Sequence, residues 1–132
     1  TVRALEMTME KIDPSTEAVV PLSNWLSVLA GYVASGHPDL TNRQMALLLL
    51  VYLDPGPHTV RGIAARLHVS KPVVTRILNA LSGLGYVKRQ KDMSDLRNIF
   101  VVRTPEGLAF IEAFAGLIKR LEGYGRQPES TD

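Results

Sequence analysis

The chain has no cysteine among its 132 residues. That excludes a disulfide framework, any zinc site with a cysteine ligand, a thiol nucleophile and a thiol redox sensor. It also lacks long hydrophobic runs. The longest uninterrupted apolar stretch, residues 45–53, is far too short to cross a bilayer. The opening Thr1-Val2-Arg3 has no basic-then-apolar secretory pattern. A cytoplasmic protein without a membrane partner is therefore expected. What is present is globular: 45% hydrophobic and 21% charged residues exclude a largely disordered chain. The length suits one domain with a core of its own.

Charge is unevenly placed. The net charge is only +2, yet residues 41–104 hold ten basic groups against three acidic ones. The remaining residues hold five basic groups against ten acidic. A basic middle between acidic flanks is the electrostatic footprint of a surface for a polyanion.

Residues 1–12 read as a short amphipathic helix with Val2, Leu5, Met9 and Ile12 on one side, broken by Asp13-Pro14. The next helix starts either at Ser15-Thr16-Glu17 or with Pro21 in its first turn. It carries an apolar stripe of Leu22, Trp25, Leu26, Leu29 and Val33, and ends at Gly36-His37-Pro38. Thr41 with Gln44 makes a capping box for a third helix, which is apolar nearly all round over 45–53 and expected to be buried. Thr59 caps a fourth helix with Ile63, Ala64 and Leu67 inward. Ser70 caps a fifth that runs to about Leu84, before Gly85. The period then turns strand-like over 86–90 and 98–103, around a polar tip at 91–97. Thr104-Pro105-Glu106 starts a last helix that runs to about Leu121, followed by a polar tail.

Two short helices joined by a tight connection, then a hairpin, make a winged helix-turn-helix, with residues 45–53 as the wall behind it. The second helix of the pair buries Val74, Ile77, Leu78, Leu81 and Leu84. Its other side presents Lys71, Pro72, Val73, Thr75, Arg76 and Asn79, types that suit a major groove. Arg76 fits a guanine edge, Asn79 an adenine edge, and Val73 or the Thr75 methyl a thymine methyl. Ser70, Lys71 and the free N–H groups of the helix start suit a phosphate. An exposed Val73 beside Pro72 would serve nothing in a monomer that binds no partner.

The runs His68-Val-Ser-Lys-Pro-Val-Val-Thr-Arg-Ile-Leu-Asn-Ala-Leu, Gly85-Tyr-Val-Lys-Arg, Asp92-x-x-Asp95-x-Arg97 and Thr104-Pro-Glu-Gly107 resemble the MarR family of bacterial transcriptional regulators. The likeness covers about 20–122 and is strongest at the wing. It implies a homodimer whose terminal helices join two reading heads, Arg97 in a minor groove oriented by Asp95, a palindromic operator, and a small ligand that weakens DNA binding. Leu96 stands where the family often has another arginine, and the last helix and tail are short for the family.

Other chemistries find no support. His37, His58 and His68 lack metal-ligand spacing. Asp92 and Asp95 sit at a hairpin tip where no pocket would raise a pKa. Ser70, Ser82 and Ser94 have no nucleophile-elbow context. No catalytic, metal or cofactor residue is expected. The last helix, with apolar residues spread wider than one stripe over 108–121, calls for burial against a partner. The expected dimer contacts are Leu22, Trp25, Leu26, Leu29, Phe110, Phe114, Leu117, Ile118 and Leu121. The reading is a mainly α chain with a small β-hairpin wing. A winged helix-turn-helix core over 41–104 stands between dimerisation helices at 1–36 and 105–122, and the whole is a dimeric regulator of transcription on double-stranded DNA. The alternative is a winged-helix protein-interaction, architectural or replication module without a regulatory ligand.

Overall fold

The computed structural model describes residues 11–125, with side chains through residue 120. The expected helix over 1–12 therefore lies outside the described residues, except for Lys11 and Ile12, which are not helical. The described elements are α1 (Val19–Ala34), α2 (Asn42–Leu53), β1 (His58–Thr59), α3 (Val60–Leu67), α4 (Lys71–Gly83), β2 (Val87–Lys91), β3 (Ile99–Arg103) and α5 (Pro105–Gly125). The strands form one antiparallel sheet in the order β1-β3-β2, with His58 opposite Val101 and Arg89 opposite Val101 on the other side. The winged helix is thus present, with a third strand that the sequence does not announce. Two residues are too few to show a period, and their pairing partners lie more than 40 positions away.

Helix starts follow local chemistry. At Thr41 the side chain accepts the Gln44 N–H at 3.1 Å while the Gln44 side chain accepts the Thr41 N–H at 2.9 Å, closing the capping box. Thr59 accepts the Gly62 N–H at 3.0 Å. Helix α1 begins at Val19 with Pro21 in its first turn, after a turn in which Asp13 accepts the Ser15 N–H and hydroxyl.

The chain divides into two compact units. One holds the residues up to His37 together with those from Leu117 onward; the other spans Pro38–Gly116. In the first, Val28 and Tyr32 of α1 are buried. A Cβ at Gly31 would come within 2.9 Å of Leu117 Cδ1, so α1 and the end of α5 meet closely there. The adjoining stripe of α1, with Leu22, Trp25, Leu26, Leu29 and Val33, is exposed.

The second unit has its core between α2, α3, α4 and the sheet. Leu47, Leu48, Val51, Ile63, Val74, Leu78, Leu81 and Val87 are almost wholly buried. Helix α2 is less completely covered than its sequence suggests, because Leu53 at its end is 70% exposed. Leu84 is exposed too. Helix α4 stops at Gly83, so Leu84 is a cap residue that no longer follows the buried stripe. The first turns of α5 belong to this unit. Phe110, Ile111 and Phe114 are buried within the single chain, and Phe110 stacks on Tyr86 with ring centroids 4.5 Å apart. This corrects the expectation that Phe110 and Phe114 face a partner.

A polar junction closes the unit. The Tyr52 hydroxyl donates to the Tyr86 carbonyl at 2.7 Å, with the Thr104 carbonyl 3.2 Å away, and accepts the Thr104 N–H at 3.0 Å. Thr104 Oγ1 donates to the Gly85 carbonyl at 2.6 Å and accepts the Gly107 N–H at 2.9 Å, capping α5. A Cβ at Gly107 would collide with both the Tyr52 hydroxyl and the Tyr86 carbonyl. The Thr-x-x-Gly motif is therefore a requirement of close approach. Gly107→Ala is expected to destabilise the chain by about 2 kcal/mol or more, as overpacking against rigid backbone does. Tyr52→Phe should cost about 1–3 kcal/mol by leaving the Thr104 N–H unpaired. Urea denaturation of both variants measures this.

Candidate nucleic-acid interface

Helix α3 ends on His68, whose φ of 56° is left-handed and whose N–H reaches the Ala64 and Ala65 carbonyls. That turn aims α4 away from α3. Ser70 caps α4 in extended conformation, its hydroxyl accepting the Val73 N–H at 3.4 Å, and Pro72 lies in the first turn. With Val74, Ile77, Leu78 and Leu81 buried, the outer face carries Lys71, Pro72, Thr75, Arg76 and Asn79, all exposed. Val73 is half-buried, a correction to its expected exposure. It precedes Ile77 by four residues and so sits at the edge of the buried stripe.

Residues 71–91 contain five basic groups and no acidic one. Lys71, Arg76, Lys88 and Lys91 make no ion pair among the described residues. Arg89 reaches from β2 back to α4. Its Nη2 donates to the Thr75 carbonyl at 3.2 Å and to Asn79 Oδ1 at 2.6 Å. Arg103, counted in the basic middle, turns elsewhere: Nε donates to the Val51 carbonyl at 2.8 Å and Nη2 to the Asp54 carbonyl at 3.0 Å, capping α2.

The wing tip is built by two aspartates. Asp92 Oδ1 accepts the Ser94 hydroxyl at 2.6 Å and the Ser94 N–H at 2.9 Å. Asp95 Oδ1 accepts both the Arg97 N–H and Nε at 3.1 Å, and Oδ2 faces Nη2 at 3.4 Å. Arg97 is thereby aimed outward from the tip, with its side chain 88% exposed. Leu96 and Met93 beside it are also exposed.

In the Pro38–Gly116 unit a cleft of about 230 Å³ opens between α2, β1 and α3. Leu50, Asp54, His58, Ile63 and Arg66 are among its walls. It is smaller than the roughly 300–1,000 Å³ that drug-sized ligands occupy. Among the described residues no three His, Asp or Glu side chains are grouped to hold a metal ion, and no helix is long and apolar enough to cross a membrane.

A helix-turn-helix with a cationic, uncrowded outer face and a hairpin that carries an oriented arginine defines a winged-helix reading head. Residues 39–97, the winged helix-turn-helix through the wing tip, match the family model described as the MarR family. Solved structures agree in fold. A point mutant of MepR from S. aureus, bound to an oligodeoxyribonucleotide, superposes with a TM-score of 0.75 at 22% identity, over 86% of this chain and 81% of that one. MarR itself gives 0.58 at 26% identity, over 84% and 85%. The transcriptional regulator Tm0710 from Thermotoga maritima gives 0.67 at 22% identity, over 86% and 80%. No curated protein matches in sequence.

The Asp92 carboxyl is held below the ordinary aspartate value of 3.8, first by the Ser94 hydroxyl and then by the Ser94 N–H. A depressed value means that the turn gains its full support above the ordinary value and loses it as pH falls through the depressed one. The Ser94 amide should keep its hydrogen-bonded NMR shift at neutral pH and move toward a free-amide shift only under acid, while Asp92→Asn should abolish that titration.

Proposed function

We propose that the chain is a sequence-specific regulator of transcription that binds a palindromic operator as a homodimer in the cytoplasm. The observation that carries this is the pairing of an unneutralised polar face on α4 with a wing tip whose arginine is already oriented. In this reading α4 enters a major groove. Arg76 takes a guanine edge, Thr75 and Val73 flank it, and Ser70, Lys71 and Pro72 set the helix start against a phosphate. Arg97, steadied by Asp95, reaches the adjoining minor groove, where narrow A·T-rich stretches concentrate negative potential. The DNA-bound MepR mutant, of the same fold, supports the choice of partner. An interaction module would carry an apolar patch on α4, and that face carries charged and polar side chains instead.

The dimer surface is the outward stripe of α1. Leu22, Trp25, Leu26 and Leu29 form an apolar patch, with Trp25 49% and Leu26 66% exposed. Patches of this kind mark partner surfaces in soluble proteins. Leu117 and Ile118 of α5 are half-buried and complete the same unit; Leu121 lies beyond the described side chains. A homodimer formed through this unit would carry two α4 helices, one for each half-site of an inverted repeat. A small ligand that weakens DNA binding would take the cleft at the start of α3, where it bears on the helix that α4 packs against.

Selection of duplexes from a random library tests the reading: an inverted repeat should emerge. Arg76→Ala should then lose about 1–3 kcal/mol on the selected site and relax preference at one base position. Equal loss on selected and random duplex would make Arg76 a phosphate contact. The wild type should sediment as a dimer at micromolar concentration. Leu26→Glu, at a site exposed in the single chain, should leave the fold intact and dissociate the dimer by placing an unpaired charge in the interface, at about 3–5 kcal/mol. A wild-type monomer that still binds the repeat tightly would remove both dimer and palindrome from the reading.

A further inference from the structure

The guanidinium of Arg89 sits where the wing meets the reading helix. Residue 89 follows the buried Val87 by two positions on β2, so its side chain leaves the strand on the face that packs toward α4. Thr75 and Asn79 are four residues apart and lie one above the other on α4. One nitrogen, Nη2, bonds both the Thr75 carbonyl and Asn79 Oδ1. That uses both of its protons. The Nε and Nη1 protons take no protein partner among the described residues.

Base reading changes as a result. An asparagine reads adenine with two atoms: Oδ1 accepts from the N6 amino group and Nδ2 donates to N7. Here Oδ1 is bonded at 2.6 Å to a cation, which would also repel an incoming amino group at that position. What Asn79 and Arg89 can jointly offer is N–H donors alone. Guanine presents two neighbouring acceptors in the major groove, N7 and O6, whereas adenine presents one acceptor beside a donor.

We propose that Arg89 is a specificity-determining residue, which holds Asn79 as a donor so that the pair reads guanine where a free asparagine would read adenine. The inference rests on α4 occupying a major groove. Arg89 acts here as a positioning residue through Asn79, so its signature is a changed base preference rather than a uniform loss of affinity.

The test is duplex selection by the full chain, carried out in parallel with wild type, Arg89→Ala, Arg89→Lys and Asn79→Ala, with the salt dependence of binding measured for each. Besides the guanine read by Arg76, the wild type should select guanine at a second position per half-site, and Asn79→Ala should erase discrimination at that second position alone. Arg89→Ala should move that position from guanine to adenine by at least about fivefold. Arg89→Lys keeps the charge on a shorter side chain whose ammonium falls short of the Nη2 position that bonds both oxygens. It should therefore move the same preference with little change in salt slope, and it carries the test if Arg89→Ala unfolds on a thermal scan. A uniform loss across all sequences with a shallower salt slope would make Arg89 a phosphate contact and overturn the proposal. Adenine selected by the wild type, or a profile unchanged in Asn79→Ala, would overturn it as well. A wild type that selects no sequence overturns the regulatory reading itself, whereas a clear repeat with an immovable profile overturns only the role of Arg89.

Discussion

The reading head depends on where one tyrosine hydroxyl lies. Tyr52, near the end of α2, bonds the backbone just past α4 and the backbone that opens α5. These are the two ends of the wing: the chain leaves α4 at Gly85-Tyr86, runs out through β2, and returns through β3 to Thr104. With both ends pinned to one side chain, the hairpin cannot shift relative to α4 without breaking part-buried hydrogen bonds, which are costly to leave unmade. Gly107 is the condition for this junction, because any side chain there would occupy the space of the hydroxyl.

That constraint makes the wing and α4 a single rigid reader. Arg89 adds a second tie from β2 to the middle of α4, and Asp95 holds the arginine at the tip. Two of the long cations at this surface, Arg89 and Arg97, are fixed by a carbonyl or a carboxylate. Two others, Lys71 and Arg76, have no ion-pair partner among the described residues. Fixed groups lose less conformational entropy on binding, and unpaired ones add charge that a phosphate backbone can neutralise.

Much of this was legible in the sequence because its causes are local. The capping box at Thr41, the Ser70 cap, the buried stripe of α4 and the Thr104-Pro105 helix start all involve residues within four positions of their neighbours. What escaped has partners far along the chain. Strand β1 exists because β3 lies beside it. Arg103 looked like one more surface cation, yet it caps a helix about 50 residues earlier. Phe110 and Phe114 have the spacing of an interface stripe, and only the folded head shows that they are already covered. Asn79 has the chemistry of an adenine reader until Arg89, ten residues on, takes its carbonyl. The two-residue spacing of Val87 and Arg89 was a signal that this arginine turns toward α4.

The measurement closest to the central claim is a titration of the wild-type chain with its selected duplex and with random duplex at two salt concentrations. A winged-helix regulator predicts binding of both that weakens steeply with salt, with the selected duplex bound roughly 10³-fold tighter or more. Failure to bind either duplex at low salt, or binding of the two with equal affinity, would contradict a base-reading role for α4 and the wing.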